Sequence, residues 1–495
     1  MDFLDPRSRR KHRARLMVGY GLIALAIGLA TVLVYDTLGY GINTKTGDII
    51  ANGLLFVDSK PGDAVVYLNG KDQNAATSSR LILPAKDYKL TLKKPGYRDW
   101  SRAFTLSEHS IARYVYPLLI PSQPKAQTVK SYPAPPGLIT QSPDRRKLLV
   151  QSAKIAPGGF TFDEYETADP KQAPKSLALP PNLLTGVDKA GTSLAEVEWS
   201  TDNRHLLLRH DYAGGSEFLI FDRESPDKSI NLNRLFGAAP TSVVLRNKKS
   251  DQVYIYSASG GVLQVGDTTN GLVDQPILRE VIAFKPYGTN LLTYITATGA
   301  PEGQVSARIW ESGKTYQLSQ LPAGTAYLID AAQFQGHWYY ITGSNQSDRI
   351  SIFKDPLDRI KDPATKKAAP ADALRLKGSE KVSFSTNARF IGIQAGEKFA
   401  VYDIEVKDSY SYSLSTPPSG PARWMDGHRW LGVQGGSVLI LDFDGINQQT
   451  LVPSTAAGGF FDRNFERVII AAPPSPTGTT DLQVVDMLAG SDLPK

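Results

Sequence analysis

The chain has 495 residues, 41% of them hydrophobic, and no cysteine, which excludes disulfides and thiolate metal sites and leaves two or three folded units held by packing. The net charge is +6, but six cations against Asp2 and Asp5 in the first 15 residues supply +4 of it; the remainder has the balance of an ordinary surface, and nucleic-acid binding is excluded. With 42 Gly, 33 Pro, 22 Tyr and 18 Phe, the composition reads as mainly β.

Residues 1–15 are a basic tail carrying Arg7, Arg9, Arg10, Lys11, Arg13 and Arg15. Residues 16–35, opening on Leu16 and closing on Tyr35, contain no charge. At about 1.5 Å per residue such a helix covers roughly the 30 Å hydrocarbon core, so this stretch is expected to be a transmembrane helix lying in a lipid bilayer. The cations before it place the N-terminus in the cytoplasm and the rest of the chain outside. A cleaved signal peptide needs a shorter apolar region ending in a small-x-small site; Ala24-Leu25-Ala26 has those residues but lies mid-span.

After a juxtamembrane segment, 36–53, short strands and tight turns alternate. Strands are expected at 54–58, 64–68, 80–83 and 88–92, with turns at Lys60-Pro61-Gly62-Asp63, Asn69-Gly70 and Lys94-Pro95-Gly96-Tyr97. The run from Val57 through Pro61-Gly62-Asp63-Ala64 to Asn69-Gly70-Lys71, followed by Leu83-Pro84 and Lys94-Pro95-Gly96-Tyr97, resembles the PEGA domain of bacterial and archaeal surface proteins. That resemblance implies a small antiparallel β-domain over 54–116, acting as a spacer or binding module in a membrane-attached protein, and it brings no catalytic residues. Residues 117–137 hold six prolines and no hydrophobic periodicity, the pattern of a semi-extended linker.

From 138 to 495 one pattern recurs: apolar strand, polar turn, second apolar strand, then a third that often ends in Asp. Clear copies start at Thr140, Val197, Phe384 and Trp424, and looser ones at Leu245, Phe284, Phe334 and Phe461. Eight copies at about 45 residues each match four-stranded propeller blades, which bury their faces only against neighbours. The turn Ser142-Pro143-Asp144 resembles the SPDG turn of TolB-like and WD40-like propellers. The expected fold is a seven- or eight-bladed β-propeller interrupted by a charged insertion at 354–380, read as a projecting loop with some helix.

Chemistry is sparse. None of the six histidines forms a compact ligand pair, His205 and His210 should face opposite ways on a strand, and no nucleophile elbow, P-loop or dinucleotide fingerprint occurs; no cofactor, metal or catalytic residue is expected. Asp222, Asp403, Asp442 and Asp486 recur at equivalent positions and read as turn residues, the alternative being carboxylates gathered in a channel for sugar hydrolysis. Trp199, Trp310, Trp338, Trp424 and Trp430 are the candidate binding residues, since aromatic faces suit sugar rings, against the plainer reading of core packing. These readings point to a non-enzymatic, single-pass envelope protein that presents a propeller to a cell-wall glycan or a partner envelope protein. A carbohydrate-active enzyme and a structural spacer are the alternatives.

Overall fold

A computed structural model describes residues 6–37, 40–42, 49–152, 159–186, 191–362, 364–365 and 367–493. The chain divides into two compact units, one of residues 1–123 with 489–495, the other of residues 124–488.

The first unit begins with one helix, Pro6–Thr37. Among the described side chains, the apolar ones from Leu16 to Leu33 point outward; Met17 is 73% and Leu29 58% exposed. No helix among the described residues is long and apolar enough to cross a membrane. The side chains of 32, 34 and 35, which belong to the expected span, lie outside those residues, as do residues 38–39 and 43–48 of the expected juxtamembrane segment.

Among the described residues the β-domain has two four-stranded sheets. One orders Lys71–Ala76, Val65–Leu68, Lys86–Lys93 and Trp100–Leu106, all antiparallel. In the other, Ile49–Val57 pairs antiparallel with Ser79–Pro84 and parallel with Ile111–Tyr114, so the domain is not wholly antiparallel. Alternation along each strand sends Leu55, Val57, Val66, Leu90 and Leu92 inward around Trp100, all at most 3% exposed. The hairpin at Asn69-Gly70 has φ of 51° and 79°, both left-handed as a two-residue hairpin turn requires. Residues 489–493 return to this unit. Asp492 accepts hydrogen bonds from Tyr97 Oη and Lys94 Nζ, each at 2.9 Å, and Ala489 N–H donates to Tyr97 Oη at 2.7 Å. Ala489 and Asp492 therefore help to complete the β-domain.

Among the described residues of the second unit eight sheets follow in sequence order, each of four strands except the third, which has three. Their first strands are Ile139–Gln141, Ser193–Trp199, Ser242–Leu245, Val281–Tyr287, Tyr327–Phe334, Lys381–Phe384, Arg423–Trp424 and Gly459–Phe461, and we number the blades 1 to 8 accordingly. Apolar clusters bridge successive sheets, for example Phe162 and Leu177 of blade 1 with Leu208 and Phe221 of blade 2. The ring is closed by Leu148 and Val150 of blade 1 packing with Phe460 and Ile469 of blade 8. Eight mutually packed sheets joined last to first are an eight-bladed β-propeller.

Two stretches differ from the sequence-based expectation. Ala126–Tyr132, inside the expected linker, is the fourth strand of blade 8, paired antiparallel with Thr480–Asp486. Leu118, Leu119 and Ile120, from the same stretch, are buried in the first unit. A ring of sheets has no free edge where its two ends share a blade, and that gain outweighs the local preference of a Pro-rich sequence for extension. The charged insertion likewise holds more than a projecting loop: after a short helix, Pro356–Lys361, it supplies Asp372–Leu374, the fourth strand of blade 5.

Candidate functional site

The repeated acids are structural. Asp222 is 2% exposed, takes a two-pronged ion pair from Arg204 at 2.8 and 2.5 Å, and accepts the backbone N–H groups of Glu224 and Ser225. Burial raises its carboxyl, but Arg204 and those N–H groups outweigh burial and hold it below the usual value. Asp403 repeats the arrangement with Arg389, and Asp486 faces Arg467 at 3.6 Å. Asp442 is buried and binds Asn447 Nδ2 at 2.8 Å. In each blade an arginine stands at the start of the second strand (Arg429, Arg467) or one residue before it (Arg204, Arg389), beside the acid that closes the third strand, so the four carboxylates lie on third strands rather than on the innermost strands and do not converge on the channel.

The turns between first and second strands are built alike. Ser142 Oγ donates to Asp144 Oδ1 at 2.6 Å and accepts Lys147 N–H at 3.0 Å; Ser385 and Asn387 repeat this with Phe390 N–H. The residue after the Asp or Asn must then be left-handed. Arg145, Asn203, Ala388 and Phe465 have φ of 62°, 59°, 59° and 57°, at or next to the place where the SPDG pattern has glycine.

Two recesses are built mainly from these turns and the adjoining ends of the first strands, and so open toward one end of the propeller. The larger, about 500 Å³, draws on blades 2 to 5 and is walled by Val197, Val244, Phe284, Pro286, Tyr287 and Trp338. Ion pairs Lys248–Glu198 and Lys285–Asp330 (2.7 Å) mark its edge. Tyr287 Oη donates to Asp330 at 2.8 Å, and burial beside that carboxylate pushes the phenol well above its usual pKa. The smaller, about 210 Å³, lies at blades 7, 8, 1 and 2 and is lined by Gln141, Arg145, Glu196, Arg423, Trp424 and Phe460, among others.

The tryptophans divide between core and recess. Trp199 is 5% exposed with its indole N–H on Thr140 Oγ1 at 2.7 Å, Trp310 packs among Tyr254 and Tyr294, and Trp430 is 2% exposed, stacked on Trp424 at 3.9 Å. These three are core residues, because the blade interfaces they occupy leave no ring face to solvent. Trp338 and Trp424 are half-buried and line the two recesses. Of the histidines, His210 is buried against Glu217 at 3.0 Å while His205 lies at the blade edge with Asp202. Among the described residues no cluster of His, Asp or Glu is suited to a metal ion.

The charged lining of the channel lies outside the residues singled out from the sequence. Glu196, Lys285, Asp330, Lys381 and Arg423 all lie on first strands, in blades 2, 4, 5, 6 and 7. The Arg423 guanidinium is reached by solvent yet surrounded by protein, and this burial lowers its pKa, opposed by Glu196 and aided by Arg145. Burial similarly lowers Lys381, with Lys285 and Arg423 adding repulsion, and raises the Glu196 carboxyl. A charge inside the innermost strand of a repeat is the signal for this lining: neighbouring blades cover both faces of a blade, so only the channel remains for it.

Residues 52–116 match the PEGA domain family. Among solved structures, the protein lmo1340 from Listeria monocytogenes EGD-e is similar over 68% of this chain and 93% of its own, at 12% identity and a TM-score of 0.39. The Dos1 propeller is similar over 73% of this chain and 94% of its own, at 12% identity and a TM-score of 0.43. No curated protein matches the chain. Family match and sheet order together give a PEGA domain at residues 52–116 followed by an eight-bladed β-propeller.

Proposed function

We propose that this chain is a membrane-anchored interaction scaffold, with the basic tail in the cytoplasm, residues 16–35 in the bilayer, and the PEGA domain and propeller outside. The propeller presents its turn face to a cell-wall polymer or a partner envelope protein. The observation that carries the binding role is the 500 Å³ recess, assembled from four blades and walled by aromatic side chains including the half-buried Trp338. A spacer has no use for such a recess, and sugar hydrolysis through the four repeated acids would need them gathered at one channel mouth. Anchoring is supported by the exposure of the described apolar side chains on the N-terminal helix, which water does not reward, and by the six cations preceding it.

Cosedimentation of the full chain in detergent with purified cell-wall polymer, alongside crosslinking in intact membranes from a photoreactive residue at exposed Gln333 on the recess, tests the binding role. Retention or a discrete crosslink that Trp338→Ala removes supports the recess as the docking site. Retention and crosslinks unchanged in Trp338→Ala, or absent from both proteins, refute it. For the anchor, Leu25→Arg should shift the chain from the carbonate-resistant membrane fraction to the soluble one, since a mid-span arginine costs about 2.5–3.5 kcal/mol on insertion scales. A chain that is soluble before substitution overturns the anchor.

A further inference from the structure

We propose that the 210 Å³ cavity at blades 7, 8, 1 and 2 is an oxyanion site, in which Arg145 and Arg423 hold a phosphate or carboxylate group that enters the channel from the turn face. This goes beyond the scaffold reading, concerns a different cavity from the recess at Trp338, and stands whether or not that recess binds a partner.

Three observations carry it. First, two guanidinium groups from distant points of the chain line one small cavity together with the Gln141 amide. Among the described residues, the hydrogen bonds made by those guanidiniums are one each, to backbone carbonyls: Arg145 to Met425 O, and Arg423 to Gly459 O at 2.7 Å. A guanidinium has five donors in a fork shaped for an oxyanion, and most of these ten are unused. Each is steadied by an aromatic ring, Arg145 over Phe465 at 4.7 Å and Arg423 over Phe460 at 5.0 Å, so the forks are held in place before any ligand arrives.

Second, most of the surrounding acids are engaged elsewhere. Asp426, which faces Arg145, is bound by Arg429 and accepts the N–H groups of His428 and Arg429. Asp462, which also faces Arg145, accepts the N–H groups of Glu466 and Arg467 at 2.8 and 3.1 Å, and burial raises its carboxyl. Asp330 is taken by Lys285. Glu196, facing Arg423, and Asp462, whose backbone donors leave its charge in place, stand against Arg145, Arg423 and Lys381, an excess of one cation, and Lys381 has no ion pair among the described residues. Low-dielectric walls strengthen that excess of positive charge toward an incoming anion.

Third, Arg145 stands at φ 62°, where its turn would accept glycine without strain. The arginine is a less comfortable residue for the backbone than glycine, as Ala388 and Phe465 are at the equivalent turns, and what it adds beyond its bond to Met425 O is a cation at the channel mouth.

The same fact supplies a clean test. Arg145→Gly relieves the turn while deleting the guanidinium. Titration calorimetry and thermal shift on the full chain in detergent, at constant ionic strength, would use inorganic phosphate in one arm and citrate in the other. The wild-type chain should bind at least one of them. Preference for phosphate would identify a phosphorylated ligand, and preference for citrate a carboxylate one. Arg145→Gly and Arg423→Gln should each weaken binding at least tenfold, Lys381→Gln should weaken it two- to fivefold through the field alone, and Arg145→Gly without ligand should melt at or above the wild-type temperature. The proposal is overturned if the wild-type chain binds neither anion, if both arginine variants bind as the wild type does, or if Arg145→Gly melts several degrees lower, which would make the bond to Met425 O the purpose of the residue.

Discussion

The buried carboxylate of Glu217 makes the sharpest stability prediction for the propeller. It is 3% exposed in blade 2 and accepts four hydrogen bonds. Thr185 N–H at 2.6 Å and His210 Nδ1 at 3.0 Å meet one oxygen; Asn231 Nδ2 at 2.7 Å and Thr185 Oγ1 at 3.1 Å meet the other. Glu217→Gln keeps the volume but leaves a single accepting oxygen. In its best orientation that oxygen serves Thr185 N–H and His210, the Thr185 hydroxyl turns to accept from the new amide, and Asn231 is left pointing a donor at a donor. Losing one hydrogen bond to a buried charge costs about 2–3 kcal/mol. For the 365 residues of 124–488 the unfolding entropy is roughly 0.8 kcal/mol per degree, so the melting temperature should fall by about 3–4 °C at pH 7. The pH dependence follows from the same contacts. Burial pushes the Glu217 carboxyl up, but its four donors outweigh burial and hold it below 4.5. A depressed carboxylate stabilises above the unfolded value and loses that contribution as pH falls through the folded one. The gap between wild type and variant, followed by differential scanning calorimetry, should therefore be full at pH 7 and close below pH 4.5. A variant within 1 °C of wild type at pH 7, or a gap that persists undiminished well below pH 4.5, would refute the assignment of this carboxylate as the ionised centre of the cluster.

Other outcomes follow from single contacts. Ala388 sits at φ 59°, so Ala388→Gly should raise the urea midpoint by an amount equivalent to about 0.5–1 kcal/mol, the left-handed strain of about 1–2 kcal/mol less the extra freedom of glycine in the unfolded chain. Trp430→Ala should cost about 3–5 kcal/mol as a core truncation, measured by denaturation. Half-buried Trp338→Ala should cost about 1–2 kcal/mol by the same measurement, because less of its surface leaves water on folding. Tyr97→Phe removes the bond to Asp492 and the acceptor for Ala489 N–H, so carboxypeptidase should trim the C-terminus faster than in the wild type. Burial, with Asp492 beside it, pushes the Tyr97 phenol up to about 12; its contribution is complete below pH 10 and is lost as pH rises toward 12, so the wild-type tail should become protease-sensitive over that alkaline window.

Much of the architecture is legible in the sequence because it is local. Asn69-Gly70 specifies a hairpin whichever residues surround it, since both positions need φ above zero. The blade repeats are visible because their second and third strands are consecutive hairpins, and Asp222 and Asp403, closing third strands, read correctly as turn residues because they accept N–H groups two and three residues further on. What could not be read depends on ring closure. Ala126–Tyr132 becomes a strand by pairing with residues some 350 positions away, and a mostly exposed outer strand among prolines leaves no local periodicity. Asp372–Leu374 is hidden in charged sequence for the same reason. The return of Asp492 to Tyr97 leaves no local signature either. The five tryptophans look alike along the chain, and only the packing of neighbouring blades decides that Trp199, Trp310 and Trp430 are core while Trp338 and Trp424 line recesses. Arg145 and Arg423 are 278 residues apart and become neighbours only when blade 8 meets blade 1. Local sequence determined the strands, turns and repeats; the closed ring decided which charges and rings face the channel, because a propeller's centre is formed by one strand from every blade.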